Sequence, residues 1–133
     1  MKIINFGSVN IDIFFAVEHI VRPGETISAR DIERRAGGKG LNQSVALAKN
    51  SNEVYHVGNI GSDGEFLADY LVSQGINTDF LRKSDNLTGN ALIQVDDMGE
   101  NYIVLYNRVN FDNDKEFVES VFDRLIYWFY KMR

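Results

Sequence analysis

At 133 residues, 44% apolar and 25% charged, the chain has the balance of one ordinary globular domain rather than a disordered segment. A formal charge of −5 with no basic cluster argues against nucleic acid or an anionic membrane as partner, and the lack of Cys excludes disulfides and thiolate metal sites. No apolar run approaches the ~18 residues of a membrane span, and the first residues carry no secretory cleavage pattern, so a cytoplasmic location is expected.

Residues 2–9 form an apolar-rich run (Ile3, Ile4, Phe6, Val9) ending in small residues, as a buried first strand would. Ile11, Ile13 and Phe15 then alternate with Asp12 and Phe14, which predicts a strand continuing out of the core. Arg22-Pro23-Gly24-Glu25 is a turn signal, and residues 26–35 are expected to return as a second extended segment. From 39 to about 49, Leu41, Val45 and Ala48 recur at helical spacing, and 54–57 reads as a short strand. Ser62-Asp63-Gly64-Glu65 has the form of a capping box before a helix whose Phe66, Leu67, Tyr70 and Leu71 share a face and whose end is marked by Gly75. Residues 91–95 and 102–106 are two β-rich runs joined by a hairpin loop, Asp97-Met98-Gly99-Glu100. A last helix is predicted over 114–126, with Val118, Val121, Phe122, Leu125 and Phe129 as an apolar stripe and an N-cap offered between 112 and 114. This order of elements suggests an α/β core with a β excursion packed over it.

The residues with chemistry concentrate in two early motifs. In Gly7-Ser8-Val9-Asn10-Ile11-Asp12, Asn10 and Asp12 are two apart and share one side of an extended segment, where an amide and a carboxylate can bond adjacent hydroxyls of a polyol. Taken alone, the pair reads more plainly as a solvated Asp and a turn Asn at a strand end. Ala36-Gly37-Gly38-Lys39-Gly40-Leu41-Asn42-Gln43 opens a helix: its glycines permit close backbone approach, and Lys39 and Asn42 lie three apart in the first turn. By itself this is equally a glycine-rich helix start with an exposed Lys. It is not a P-loop, since Lys39 is followed by Gly40 and position 33 is Glu33. Nor do Gly58, Gly61 and Gly64, three apart, make the glycine pattern of dinucleotide binding.

In combination these motifs resemble the ribokinase-like (PfkB) carbohydrate kinases. Residues 7–12, Pro23-Gly24-Glu25-Thr26, residues 37–43, residues 57–63, Thr88-Gly89 and Gly99-Glu100-Asn101 occur in that family's order, over about 3–110. The resemblance implies the N-terminal part of a three-layer α/β core with a small β-lid, the lid formed by segments about 13–35 and 90–106. It implies sugar-hydroxyl contacts for Asn10, Asp12, Gly38, Lys39 and Asn42, and apolar cover of the sugar by Ala91 and Ile93. It also implies ATP and Mg2+ as cofactors of the intact enzyme, and a lid that pairs two subunits. Where ribokinases proper carry a small Gly-Ala-Asn after the lid, this chain has Arg108-Val109-Asn110, which leaves ribose, another pentose, a hexose or a nucleoside open as substrate.

In the family, the catalytic Asp and the nucleotide loop belong to a late Gly-Ala-Gly-Asp segment that has no counterpart in 1–133, so no catalytic residue is assigned in this chain. After the last helix the family has an apolar strand, where this chain gives Tyr127-Trp128-Phe129-Tyr130-Lys131-Met132-Arg133. Read from the third base of the Tyr127 codon, those codons encode Leu-Val-Leu and can continue Gln-Asn-Glu, the expected strand in another frame. A frameshift near 126 that truncates a kinase is therefore expected, leaving a half that is inactive alone. Such a fragment should show an open sheet edge, an uncovered helix stripe, a tendency to self-associate and weak sugar affinity. The alternative is a non-catalytic sugar-binding or lid-dimerising module.

Overall fold

A computed structural model of the chain describes residues 1–131, with side chains through Leu125 together with Tyr127. Three parallel strands, β1 (Lys2–Phe6), β4 (Glu53–Ile60) and β5 (Leu81–Lys83), form one sheet in the order β1-β4-β5. Successive β4 side chains point to opposite faces. Val54 and Ile60 pack with Leu41 and Val45 of α1 (Lys39–Lys49) and Leu67 and Leu71 of α2 (Glu65–Ser73). Tyr55 and Val57 pack on the other face with Phe80 and with Val121 and Leu125 of α3 (Lys115–Lys131). A central parallel strand covered by helices on both faces is buried along its length, and from Val54 to Ile60 β4 is wholly buried, its polar His56 and Asn59 both hydrogen-bonded. The result is the expected three-layer α/β arrangement.

The second sheet has four strands in the order β3-β2-β6-β7: β3 (Asp31–Gly37), β2 (Asn10–Ala16), β6 (Gly89–Val95) and β7 (Asn101–Tyr106). The central pair β2/β6 is parallel, with Asp12 opposite Ala91 and Phe14 opposite Ile93, and both outer pairs are antiparallel. Val9 and Ile11 enter the α1/α2 side of the core and root this sheet on it. In the β6/β7 hairpin, Asp96 Oδ1 accepts from the Met98 and Glu100 N–H groups.

Several expectations change in detail. The first strand ends at Phe6, not Val9, because residues 7–9 carry the chain from one sheet to the other. The returning segment begins only at Asp31; before it Glu25 accepts from the Arg22 N–H and pairs with His19 in a turn-rich loop. Strand β4 runs longer than 54–57, and the short β5 is an addition that no alternation in its sequence signals. No capping box forms. A 3-10 turn (Ser62–Gly64) precedes α2, Gly64 is the residue at its N-cap with no side-chain bond, and Asp63 bonds Thr88 instead. Of the four residues expected on the α2 face only Leu67 and Leu71 are buried. The helix does end at Gly75, in a Schellman pattern: Ile76 N–H donates to the Leu71 carbonyl and Gly75 N–H to Val72.

Helix α3 starts where predicted, with Asp114 Oδ1 accepting from the Phe117 N–H at 2.7 Å, but it runs through Lys131 rather than ending at 126. Its stripe is covered in part: Val121 and Leu125 are buried, whereas Phe122, stacked on Phe6 at 5.7 Å, stays 48% exposed. The Phe129 side chain lies outside the described residues. Open edges do occur, at β1 and at β7, all six of whose residues are exposed.

Candidate functional site

Between the two sheets and the first turn of α1 lies a cleft of about 640 Å³. It gathers every residue singled out from the sequence: Asn10 and Asp12 from β2, Gly38, Lys39 and Asn42 from the start of α1, and Ala91 and Ile93 from β6. Ile103 and Leu105 of β7 extend the apolar side, as their register opposite Ile93 and Ala91 requires. A second hollow of about 450 Å³ lies on the opposite face of the β3-β2-β6-β7 sheet. Phe15, Val17, Val21, Leu92 and Val104 make it apolar, and it lacks the convergent polar groups of the cleft.

Local chemistry fixes the polar wall. Gly38 holds φ +98°, a conformation that disfavours any side chain, and a Cβ there would sit 2.7 Å from the Ser8 carbonyl oxygen. This sharp entry turns the first α1 residues into the cleft, where Lys39 and Asn42 are exposed. Asn10 is buried, and its Oδ1 accepts from Asn110 Nδ2 at 2.7 Å, while Asn110 Oδ1 accepts from the Val9 N–H at 3.1 Å. With its oxygen committed, Asn10 has its NH2 group left for a ligand. Among the described residues no group donates to the Asp12 carboxylate, and burial pushes its carboxyl above the usual range. The wall therefore presents a donor at Asn10, an acceptor at Asp12 and a cation at Lys39, which matches vicinal hydroxyls that both donate and accept. Ala91, beside Asp12 in the β2/β6 register, and Ile93 give the cleft an apolar side.

Sequence reasoning missed the layer behind this wall. An amide chain runs from Arg82 Nε to Asn59 Oδ1, from Asn59 Nδ2 to Asn113 Oδ1, from Asn113 Nδ2 to the Asn110 carbonyl, and on to Asn10. In the sequence Asn110 stands out only as the end of a departure from the family pattern. Its pairing with Asn10, a hundred positions away, has no local signal. Among the described residues no group of three or more His, Asp or Glu is placed to hold a metal ion.

An α/β core with a second β-sheet bordering a cleft of mixed polar and apolar lining defines the fold class, and comparison with known proteins gives the family. The chain belongs to the pfkB family of carbohydrate kinases, whose profile matches residues 1–125. It is 35% identical to ribokinase of Arabidopsis thaliana over 127 residues (86% of this chain, 34% of that protein) and 33% identical to ribokinase of Staphylococcus aureus over 129 residues (94% and 42%). The chain thus spans between about a third and two fifths of the length of these relatives. Among solved structures, ribokinase of Cryptococcus neoformans in complex with ADP superposes with a TM-score of 0.73 at 49% identity, covering 79% of this chain and 34% of that one. The Arabidopsis thaliana enzyme, complexed with ribose and ATP, gives 0.70 at 35% identity, covering 77% and 35%.

Proposed function

We propose that the chain forms the sugar-binding half of an ATP-dependent carbohydrate kinase site. Asn10, Asp12, Lys39 and Asn42 bond the hydroxyls of a pentose or a related sugar, Gly38 admits the ligand close to the backbone, and Ala91 and Ile93 cover its apolar face. Segments 13–35 and 90–106 act as the lid, and Mg·ATP is held by parts of the family's enzyme that this chain does not match. The supporting observation is the convergence of all seven residues, from three separate elements, on one cleft. Asp12 is the one carboxylate among the cleft-lining residues and is committed to hydroxyl binding. Residues 1–133 alone are accordingly proposed to bind sugar without transferring phosphate.

Calorimetric titration of D-ribose tests this, with turnover of ATP measured alongside. Asp12→Ala removes a charged acceptor and should weaken binding about ten- to a hundredfold. Asn110→Ala frees the Asn10 amide to rotate and should weaken it less, about tenfold. Ribose heats that are absent, or unaltered by Asp12→Ala, would remove the reading, and phosphorylation by 1–133 would remove the claim that it cannot transfer phosphate.

We also propose that two copies associate through β7. Its Tyr102, Ile103, Val104 and Leu105 are 52–66% exposed on an unpaired edge that carries no Pro or charged residue to block pairing. Sedimentation should show a dimer that Val104→Lys converts to monomer; a wild-type monomer at high concentration would contradict it.

A further inference from the structure

One buried titratable side chain, His56, has no part in the cleft as described so far. It is fully buried on β4 and faces α1, with Nε2 3.2 Å from the Gly7 carbonyl oxygen and Nδ1 2.8 Å from Ser44 Oγ. A carbonyl can only accept, so Nε2 carries the proton and Nδ1 presents a lone pair that takes the Ser44 hydroxyl. Ser44 Oγ in turn accepts from Asn5 Nδ2 at 2.9 Å, and the same amide donates to the Gly40 carbonyl at 2.9 Å. The bonds thus run from Gly7 through His56, Ser44 and Asn5 to Gly40.

They close a ring around the place where two backbones touch. A Cβ built on Gly7 would meet Gly40 Cα at 2.5 Å, and one on Gly40 would meet the Gly7 carbonyl carbon at 2.4 Å. Beside this contact the Leu41 N–H donates to the Ser8 carbonyl at 3.0 Å. On one side of the crossing, residues 7–9 lead directly into Asn10 and Asp12. On the other, the first turn of α1 carries Lys39 and Asn42. The two polar halves of the cleft meet here and are held at a fixed spacing by the bonds of the ring.

We infer that His56, with Ser44 and Asn5, is a positioning residue that clamps the 7–9 crossover onto the start of α1 and so sets the distance between the Asn10/Asp12 and Lys39/Asn42 halves of the sugar cleft. Every side chain in the ring is neutral, so the clamp adds no charge to a site that already holds Asp12 and Lys39. Burial holds the imidazole pKa down to about 4, which keeps the same proton arrangement across the neutral range. The inference rests on the sugar-binding reading for its consequence, but the clamp itself can be tested without a ligand.

The test uses the 1–133 chain and two substitutions that separate the bonds His56 makes. An Asn amide reaches the Nδ1 position and can accept from Ser44 but cannot donate to Gly7; a Gln amide reaches the Nε2 position and can. His56→Asn should speed hydrogen exchange at the Leu41 amide about tenfold and weaken D-ribose binding by a similar factor, and His56→Gln should restore both toward wild type. A side chain that only filled core volume would not give rescue by Gln. Exchange and affinity that are unchanged in His56→Asn, or equally impaired in both variants, overturn the inference. If the wild-type chain takes no D-ribose, the sugar-binding reading fails on its own, and the exchange rates still decide for or against the clamp.

Discussion

Gly40→Ala is expected to destabilise the chain by about 2 kcal/mol net and to remove sugar binding. Inside a helix the exchange is ordinarily favourable, by about 1 kcal/mol, because Ala restricts the unfolded backbone. Here the new methyl would stand 2.4 Å from the Gly7 carbonyl carbon and 2.5 Å from the Ser8 nitrogen, both backbone atoms that no rotamer change can move aside. Overpacking of this kind costs up to about 3 kcal/mol and outweighs the propensity gain. The relief available is to push α1 away from residues 7–9, which separates Lys39 and Asn42 from Asn10 and Asp12. Urea unfolding and ribose calorimetry on the same variant check both parts. A more stable Gly40→Ala protein would show that helix propensity wins and that the crossing is looser than described.

Acid should unfold the chain through His56. Desolvation by burial lowers its pKa from 6.5 to about 4, against a smaller opposing effect from the Gly7 carbonyl. As the pH falls through 6.5 the unfolded chain takes up a proton that the folded chain refuses until about pH 4. Stability is therefore full above about pH 6.5 and declines between 6.5 and 4. The gap of about 2.5 pH units, at ~1.4 kcal/mol each, amounts to about 3–4 kcal/mol. Asp12, raised by burial, works in the opposite sense at the acid end. For Asp63, burial raises the pKa, but bonds from the Thr88 hydroxyl and N–H together with the charge of Arg34 outweigh it, so its net lowering adds to acid instability only below the ordinary carboxylate range. The region from pH 6.5 to 5 is thus the place to look for His56. Urea midpoints that fall over that interval in wild type and stay level in His56→Gln are expected; a wild-type midpoint independent of pH there would contradict a buried neutral imidazole.

Local patterns carried most of the fold. The helical spacing of Leu41 and Val45, the alternation through Ile11, Ile13 and Phe15, and the hairpin around Gly99 each reflect burial of one face by residues close in sequence. The elements misread are those decided by distant partners. Strand β5 exists because β4 offers it a parallel neighbour, and its Leu81-Arg82-Lys83 carries no period of its own. Asp63, not Ser62, makes the bonds before α2, because Thr88 arrives from the far end of the β5–β6 connection. Val121 and Leu125 of the α3 stripe are covered by Phe80 and β4, which no inspection of the helix alone could tell.

The site divides in the same way. Residues that would face a ligand were legible, since Asn10, Asp12, Gly38, Lys39 and Asn42 sit in two short motifs whose residue types suit polyol binding. Those behind them were not: Asn110, Asn113, Asn59 and His56 are each tied to a residue distant in sequence, over 100 positions for Asn110–Asn10, 54 for Asn59–Asn113 and 12 for His56–Ser44. Their types have no pattern to detect, and only the packed structure shows that the cleft's polar groups are pinned from behind.

Whether the cleft takes a sugar is read by a D-ribose titration of the isotope-labelled 1–133 chain followed by NMR. Sugar binding in the cleft should give saturable shifts at the side-chain amides of Asn10 and Asn42 and the backbone amides of Gly38, Lys39, Ala91 and Ile93, all within one cleft. Shifts confined to the outer hollow around Val21, Leu92 and Val104, or none at high ribose, would contradict it.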